Sequence, residues 1–245
     1  MLRDNIVQGL ASGRIKFEWT LADVVFDDPA KTLASGDHTE LQLLPKLHAR
    51  LGEAFVSVDL ISPYFVPGEA GTETLIGLTQ RGVRVRVLTN SLSATDEKSV
   101  HAGYLKRREA LLRAGVQLYE LKRDASVIVQ RARDLGRGSK AGLHAKIYTI
   151  DGRFIFVGSY NLDPRSSRLN TEMGLLIDSA AIAGQLSFAL DRAFPALAYR
   201  VTMRDDGTIQ WEDGEGTLYD TDPETGWVER AMVRIGSWLP IEWLL

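Results

Sequence analysis

The sequence has no cysteine among its 245 residues, and only four of them are histidine. The absence of cysteine excludes disulfide bonds, thiolate nucleophiles and cysteine-ligated metal sites. The histidines and carboxylates follow no spacing that is typical of metal ligands, so we expect no metal and no other cofactor. The sequence also lacks an apolar run that is long enough to cross a bilayer.

The charged residues are unevenly distributed, although the net charge is only −3 at pH 7. Residues 101–140 contain ten lysines and arginines against four acidic residues, whereas residues 201–245 contain three against ten. The small net charge argues against a general binder of polyanions such as nucleic acid. The basic segment suits an anionic phosphate or an anionic lipid surface, and the alternative is a solvated helix face followed by a loop.

Helical and strand patterns alternate along the middle of the chain. The predicted helices cover residues 41–54, 73–81, 100–114 and 180–194. The predicted strands cover residues 55–61, 83–89, 116–121, 143–150, 154–157 and 172–177. This order predicts an α/β fold, in which residues 41–200 form a layered α/β/α lobe with a mostly parallel or mixed sheet.

The two ends of the chain differ from this lobe. Residues 1–40 are polar and acidic and contain several helix breakers, so we expect a weakly ordered connecting segment there. Residues 201–245 have the pattern of a small acidic β excursion followed by a tail rich in tryptophan and leucine. Such a tail suits the membrane–water boundary, and packing against another lobe is an equal alternative.

One stretch concentrates side chains that suit phosphodiester chemistry. His144 and Lys146 are two residues apart on a predicted strand and therefore point to the same side. Asp151 begins an Asp-Gly pair, which predicts a tight hairpin, although it is equally explained as the turn residue alone. The hairpin brings Ser159 and Asn161 back beside the first pair. An imidazole nucleophile, a fixed ammonium and neutral donors support an in-line attack on phosphorus without a metal.

Three further side chains are candidates for the rim of a substrate pocket. Tyr64 and Asn90 fall just past the ends of predicted strands, where ligands bind in α/β sheets. His101 lies at the start of a predicted helix. We predict that all three bind substrate. Their structural alternatives are a buried aromatic, a turn former and a histidine that interacts with a helix dipole.

The residues from His144 to Asn161 resemble the histidine-lysine-aspartate motif of the phospholipase D superfamily, with its glycine-serine-x-asparagine extension. Residues 161–166 and 169–172 are similar to this family as well, and the resemblance implies that Glu172 orients an active-site histidine. Residues 62–67, 89–104 and 238–242 resemble a narrower group, the bacterial cardiolipin synthases of the C type. The resemblance covers nearly the whole chain, from about Phe17 onward.

Members of this group usually carry two such motifs, whereas this sequence carries one. The resemblance therefore implies the C-terminal half of a two-lobe enzyme, and the alternative is a one-motif protein that pairs with itself. It implies three partners: anionic phospholipid, the membrane surface and a second phospholipase D-type lobe, as a second copy or a separate chain. Nucleic acid is not a favoured partner. The implied location is peripheral, on the cytoplasmic face of the bacterial inner membrane.

The reaction that this resemblance implies is phosphatidyl transfer, which makes cardiolipin from phosphatidylglycerol and a second phospholipid. One histidine attacks phosphorus and becomes a phosphohistidine, and the histidine of the paired lobe protonates the leaving alcohol. Lys146 and Asn161 hold the phosphoryl oxygens. Two alternatives are a homodimeric hydrolase of lipid or nucleic acid, and a half-lobe that is inactive alone.

Overall fold

The computed structural model describes residues 8–9, 11–13, 17–33, 41–125 and 143–238. Residues 126–142, which include the last part of the basic segment 101–140, and the tail residues 239–245 lie outside this described part. The described strands form one ten-stranded sheet: β1 (Leu21–Phe26), β2 (Ser57–Ile61), β3 (Arg84–Asn90), β4 (Gln117–Leu121), β5 (Ile147–Ile150), β6 (Phe154–Gly158), β7 (Met173–Asp178), β8 (Ala198–Met203), β9 (Ile209–Glu212) and β10 (Leu218–Tyr219).

The helices that accompany this sheet are mostly amphipathic, and three of the six described helices connect strands that are neighbours in the sheet. They are α1 (Leu44–Gly52), α2 (Gly68–Gln80), α3 (Lys98–Arg113), α4 (Pro164–Arg168), α5 (Ala180–Leu197) and α6 (Trp227–Trp238), together with a short 3-10 turn at Pro29–Thr32. Among the described residues, no helix combines the length and the apolar character that crossing a membrane requires.

The sheet is mixed, in the order β1-β7-β6-β5-β2-β3-β4-β8-β9-β10. Only the β2–β3 and β3–β4 pairs are parallel, and every other pair is antiparallel. The α/β prediction is confirmed, with the mixed rather than the mostly parallel sheet. Because β5 is antiparallel to both β2 and β6, the ends of β2, β3 and β6 and the start of β5 meet at one edge of the sheet. This edge is called the motif edge below.

Apolar side chains pack on both faces of the sheet and hold it between two helical layers. The larger core lies under α1, α2 and α3 and contains Tyr148 and Phe156, whose rings stack 5.3 Å apart. The smaller core lies under α5 and contains Phe194 and Leu190. All five residues of β2 are buried, which makes it the central strand.

A tight turn and two glycines set the geometry of the β5–β6 hairpin. Asp151 and Gly152 both have positive φ, at 54° and 58°, as the predicted two-residue turn requires. At the other end of the hairpin, Gly158 faces Gly174 on β7. The ring of Phe156 fills the space that a Cβ atom would need at either glycine, together with the backbone of β7 at Gly158 and the backbone of β6 at Gly174. Only glycine therefore lets β6 and β7 approach this closely beside the motif.

The structure differs from the sequence expectations at both ends of the lobe. Residues 21–26 form an edge strand that pairs with β7, so the sheet already begins in the segment that was expected to be weakly ordered. The predicted strand 143–150 is regular only from Ile147. Pro195 lies inside α5 instead of ending it. The expected acidic β excursion is present as β8, β9 and β10, and the following α6 was not predicted.

Candidate active site

The hairpin brings the two halves of the motif together at the motif edge. Lys146 comes directly before β5, and its carbonyl oxygen accepts a hydrogen bond of 3.2 Å from the backbone nitrogen of Gly158. His144 is two residues further from the strand and is exposed, whereas Lys146 and Asn161 are buried. The motif residues therefore share one sheet edge, with the imidazole accessible and the amide and ammonium groups set deeper.

Lys146 is the buried cation of this site. Its Nζ atom donates to the backbone oxygen of His144 at 3.0 Å, which ties the lysine to the histidine that it accompanies. Burial lowers the pKa of Lys146, and the negative charges of Glu172, Asp163 and Asp96 oppose this shift. The three carboxylates favour the charged form of the ammonium group, but burial outweighs them and the pKa is lowered.

Glu172 supports the loop that carries Asn161. Its Oε1 atom accepts from the hydroxyl of Ser166 at 2.9 Å and from Nδ2 of Asn170 at 3.3 Å. The same Ser166 hydroxyl accepts from the backbone nitrogen of Asn161 at 3.2 Å. Within the described part of the chain, no hydrogen bond joins Glu172 to His144. Its observed contacts hold the Asn161 loop, and the histidine-orienting role stays a prediction.

The carboxamide of Asn161 has a buried oxygen without a hydrogen-bond partner among the described residues. The residue is 9% exposed. An unpaired buried polar atom costs about 1–3 kcal/mol, and such groups are typical of sites that bind a ligand. Ser159 is instead engaged, because its hydroxyl accepts from the backbone nitrogen of Met173 at 3.1 Å.

Two residues that follow β1, Asp27 and Lys31, are buried beside the same loop. One carboxylate oxygen of Asp27 accepts from the backbone nitrogen of Glu172 at 2.9 Å and forms an ion pair with Lys31 at 2.6 Å. The ammonium group of Lys31 also donates to the backbone oxygen of Ser166 at 2.9 Å. Sequence reasoning missed this buried pair, because neither residue is close to the motif along the chain.

Asp151 lies at the opposite end of the hairpin from His144. Its carboxylate accepts hydrogen bonds from the backbone nitrogens of Phe55, Val56 and Ser57, at distances between 2.7 and 3.1 Å. The structure therefore does not bring Asp151 together with the other motif residues. These contacts fasten the hairpin turn to the start of β2, which is the structural alternative for this residue.

We expect Asp151→Ala to lower the free energy of unfolding by about 1–2 kcal/mol, because it leaves backbone donors without an acceptor. Asp151→Asn is the matched control, since it retains one acceptor oxygen and tolerates the positive φ; its loss should be clearly smaller. Urea unfolding measures both effects. A large fall in catalytic rate at unchanged stability would show instead that Asp151 takes part in the chemistry.

Tyr64 lies at the motif edge and contacts a carboxylate. Its hydroxyl donates to Oδ1 of Asp96 at 2.9 Å. Burial, followed by this hydrogen bond, raises the pKa of Tyr64 to about 12, so the phenol remains a neutral donor at physiological pH. The sequence reasoning did not assign Asp96, whose position beside Tyr64 depends on contacts between separate segments.

Asn90 positions the chain just before His144. Its Oδ1 atom accepts from the backbone nitrogen of Leu143 at 2.9 Å, and its side chain is 3% exposed. This contact ties the end of β3 to the approach to β5. The structure therefore gives Asn90 a positioning role at the motif edge, and no accessible polar surface for a substrate.

His101 is buried within α3 and does not line the rim. Its Nε2 atom lies 3.7 Å from Oδ1 of Asp222. Arg108 is in the same cluster, with its Nη1 atom 3.2 Å from Glu120 and 3.4 Å from Asp222. A side chain that is 3% exposed cannot contact a lipid substrate directly, so the environment of His101 is structural. Solvent-accessible surface, which decides this point, is not visible in the sequence.

The same cluster contains three potential metal ligands, from His101, Glu120 and Asp222, within 4.8 Å of one another. The guanidinium of Arg108 already supplies positive charge to both carboxylates. Glu120 also accepts from Tyr104 at 3.1 Å and from the indole nitrogen of Trp211 at 2.8 Å. The donor set is therefore that of a buried ion-pair network rather than of an open metal site.

Residues 47–193 match the family described as cardiolipin synthase, PLD-like domain. The chain belongs to the phospholipase D family. It is 39% identical to cardiolipin synthase C of Escherichia coli over 98% of its length, and it is 30% identical to cardiolipin synthase A of Pseudomonas aeruginosa over 72%.

The chain spans only part of these phospholipase D relatives. It covers 51% of the E. coli protein and 31% of the P. aeruginosa protein.

Two of the solved structures that share its fold are similar to it in TM-score and differ in coverage. Phosphatidylserine synthase of Haemophilus influenzae matches 91% of this chain and 47% of its own, with a TM-score of 0.56 at 14% identity. Nuc, a phospholipase D family member from Salmonella typhimurium, matches 75% of this chain and 99% of its own, with a TM-score of 0.54 at 12% identity.

Proposed function

We propose that this chain is one catalytic lobe of a phosphatidyltransferase that makes cardiolipin from phosphatidylglycerol and a second phospholipid. The observation that carries the proposal is the convergence of His144, Lys146 and Asn161 at one sheet edge, with an exposed imidazole above a buried cation. The similarity to cardiolipin synthase C over 98% of the chain supports the choice of substrate class.

The proposed reaction has two displacements at phosphorus. In the first, a histidine nitrogen forms a bond to phosphorus while the bond to the leaving glycerol oxygen breaks, and a histidine of the second lobe gives that oxygen a proton. In the second displacement, the histidine that protonated the leaving group takes the proton of the acceptor hydroxyl. The acceptor oxygen then forms a bond to phosphorus while the bond between phosphorus and the nucleophilic histidine breaks. His144 fills one of these two roles. Lys146 and Asn161 bind the phosphoryl oxygens while negative charge develops on them.

An apolar surface beside the motif supports pairing with a second lobe. On the face of the sheet opposite Tyr148, side chains of β1, β6 and β7 are paired in register and exposed. They are Val24, Phe26, Val157, Met173 and Leu175, which are 41–58% exposed. A contiguous apolar patch of this kind is typical of a protein interface. We propose that it contacts a second phospholipase D-type lobe, which supplies the second histidine.

A homodimeric hydrolase is the second candidate. It is favoured by the single motif in this sequence and by the likeness to Nuc, almost all of which this chain covers. In that arrangement two copies place two His144 residues at one site, and water replaces the lipid alcohol as acceptor. A half-lobe that is inactive alone is the third candidate.

The test mixes the purified chain with a first lobe that carries its own histidine-lysine pair, on phosphatidylglycerol vesicles in the presence of EDTA. We expect cardiolipin, detected by mass spectrometry, from the mixture and none from the chain alone when light scattering shows a monomer. Because the mechanism uses no metal, EDTA should leave the rate unchanged.

The other outcomes separate the candidates. Phosphatidic acid from the chain alone, lost on dilution below its dimerisation constant, would establish the hydrolase. Cardiolipin from a proven monomer would refute the requirement for two lobes, and loss of activity with EDTA that a divalent ion restores would refute the metal-free mechanism.

A further inference from the structure

The last helix, α6, is fixed to the lobe by one face. Val233 is buried against Leu92 and Ala102. Gly236 also lies close to α3, since a Cβ atom added to it would be 3.4 Å from the Cβ of Ala102. The helix also contacts α3 along its length, and Glu229 forms an ion pair of 2.7 Å with Lys98. The orientation of α6 is therefore set by packing, and the opposite face points outward.

The outward face of α6 is apolar. Its large side chains are exposed by 46–76% and occupy one arc: Trp227, Val228, Met232, Ile235 and Trp238. At about 100° per residue, these five positions span an arc of about 140°. Arg230 and Arg234 lie along one border of this arc, and Arg234 is exposed. The five residues are called the α6 apolar face below.

The α6 apolar face lies close to the proposed active site. Glu229, in the first turn of α6, pairs with Lys98 in the first turn of α3. Two residues before Lys98, Asp96 accepts the hydroxyl of Tyr64 at the motif edge. The start of α6 is thus separated from the motif edge by one ion pair and one short chain segment, which places this end of the helix near the proposed site.

We propose that the α6 apolar face binds a lipid bilayer surface, with the helix lying in the plane of the interface. Tryptophans at both ends, bulky apolar side chains between them and arginines at the border are the composition of interfacial helices. The sequence continues beyond Trp238 with leucine, isoleucine and tryptophan residues, which extends the same character. The choice of a lipid occupant rests on the proposed function, since a phosphatidyltransferase must reach its substrate in the membrane.

The test measures binding of the chain itself and needs no catalytic activity. Co-sedimentation with vesicles of phosphatidylglycerol and phosphatidylethanolamine is compared for the unmodified chain and the double variant Met232→Glu, Ile235→Glu. We expect the partition coefficient to fall about tenfold or more, because two charges replace apolar groups that enter the interface. Both residues are 57% exposed, so the fold should persist, as circular dichroism will show.

Phe188→Glu is the matched control, because Phe188 is 64% exposed on α5, away from α6. It should leave vesicle binding unchanged. Equal loss in both variants, or no loss in the double variant, would overturn the inference. Unchanged vesicle binding with loss of association to a second lobe would assign the face to a protein partner. Vesicle binding through α6, together with no cardiolipin synthesis even after the first lobe is added, would leave this inference standing and reject the proposed function alone.

Discussion

His144→Ala should abolish phosphatidyl transfer by the active assembly, with a fall in rate of at least about 10⁴-fold. In the proposed mechanism, the exposed imidazole is the group of the motif that forms the bond to phosphorus or transfers the proton. The loss should appear in the chemical step, because Lys146 and Asn161 remain in place to bind the phosphoryl group. Acid quenching of the unmodified enzyme during turnover measures the covalent intermediate, which the variant should not accumulate if His144 is the nucleophile.

The matched control for this substitution is His48→Ala. His48 lies in α1, outside the motif, where burial lowers its pKa. Its replacement should leave the rate within about threefold of the unmodified value, since it removes no group from the proposed site. Turnover by folded His144→Ala at the rate of the unmodified enzyme would refute the assignment of the motif.

Glu120→Ala should produce the largest loss of stability, about 3–5 kcal/mol in the free energy of unfolding. The carboxylate is fully buried and accepts from Tyr104, Arg108 and Trp211. Removing it leaves a buried guanidinium whose remaining counter-ion among the described residues is Asp222, and it takes the acceptor from two other buried donors. Urea unfolding monitored by tryptophan fluorescence measures the loss, and Trp211 reports on this network directly.

Glu109→Ala is the control for this prediction. Glu109 pairs with Arg113 on the surface of α3, and both side chains are more than half exposed. Exposed pairs contribute between about 0 and 1 kcal/mol, so this variant should be nearly as stable as the unmodified chain. Equal stability of Glu120→Ala and Glu109→Ala would mean that the buried network contributes no net stability.

The pH dependence follows from Asp222 in the same network. Burial on its own would raise the pKa of Asp222, but the neighbouring His101 and the charge of Arg108 hold this pKa below its ordinary value. The stabilisation is therefore complete above the pKa of an unfolded aspartate, about 3.9, and is lost as the pH falls through the lower folded value. Asp222→Asn should remove this part of the acid dependence.

The sequence predicted those parts of the fold whose pattern is local. The Asp151-Gly152 turn and the return of β6 toward the start of β5 were expected from turn chemistry and apolar runs, and both are present. β1 was missed because a half-exposed edge strand has no clear alternation, and its pairing with β7 joins residues about 150 positions apart. Inside α5, Pro195 falls near the helix end, where few backbone hydrogen bonds are lost.

The site could be predicted only as far as residue spacing reaches. The spacing predicted that Lys146 and Asn161 lie at one edge of the sheet, because the hairpin of β5 and β6 returns the chain to the start of β5. It could not show that Asp151 bonds to the backbone before β2, that His101 is buried beside Asp222, or that Tyr64 meets Asp96. Each of these depends on contacts between elements that the sequence leaves unconnected.

The buried carboxylate of Asp27 would limit the movement of a lobe that precedes β1 in the same chain. Because it bonds to the backbone of Glu172, the chain that leaves β1 is anchored beside the loop that carries Asn161, and β1 itself is paired with β7. In a longer protein, a preceding lobe would be tethered by this short fixed segment, and its histidine would be present at a high effective concentration. Activity would then be independent of protein concentration, whereas two separate chains that form the same site would lose it on dilution.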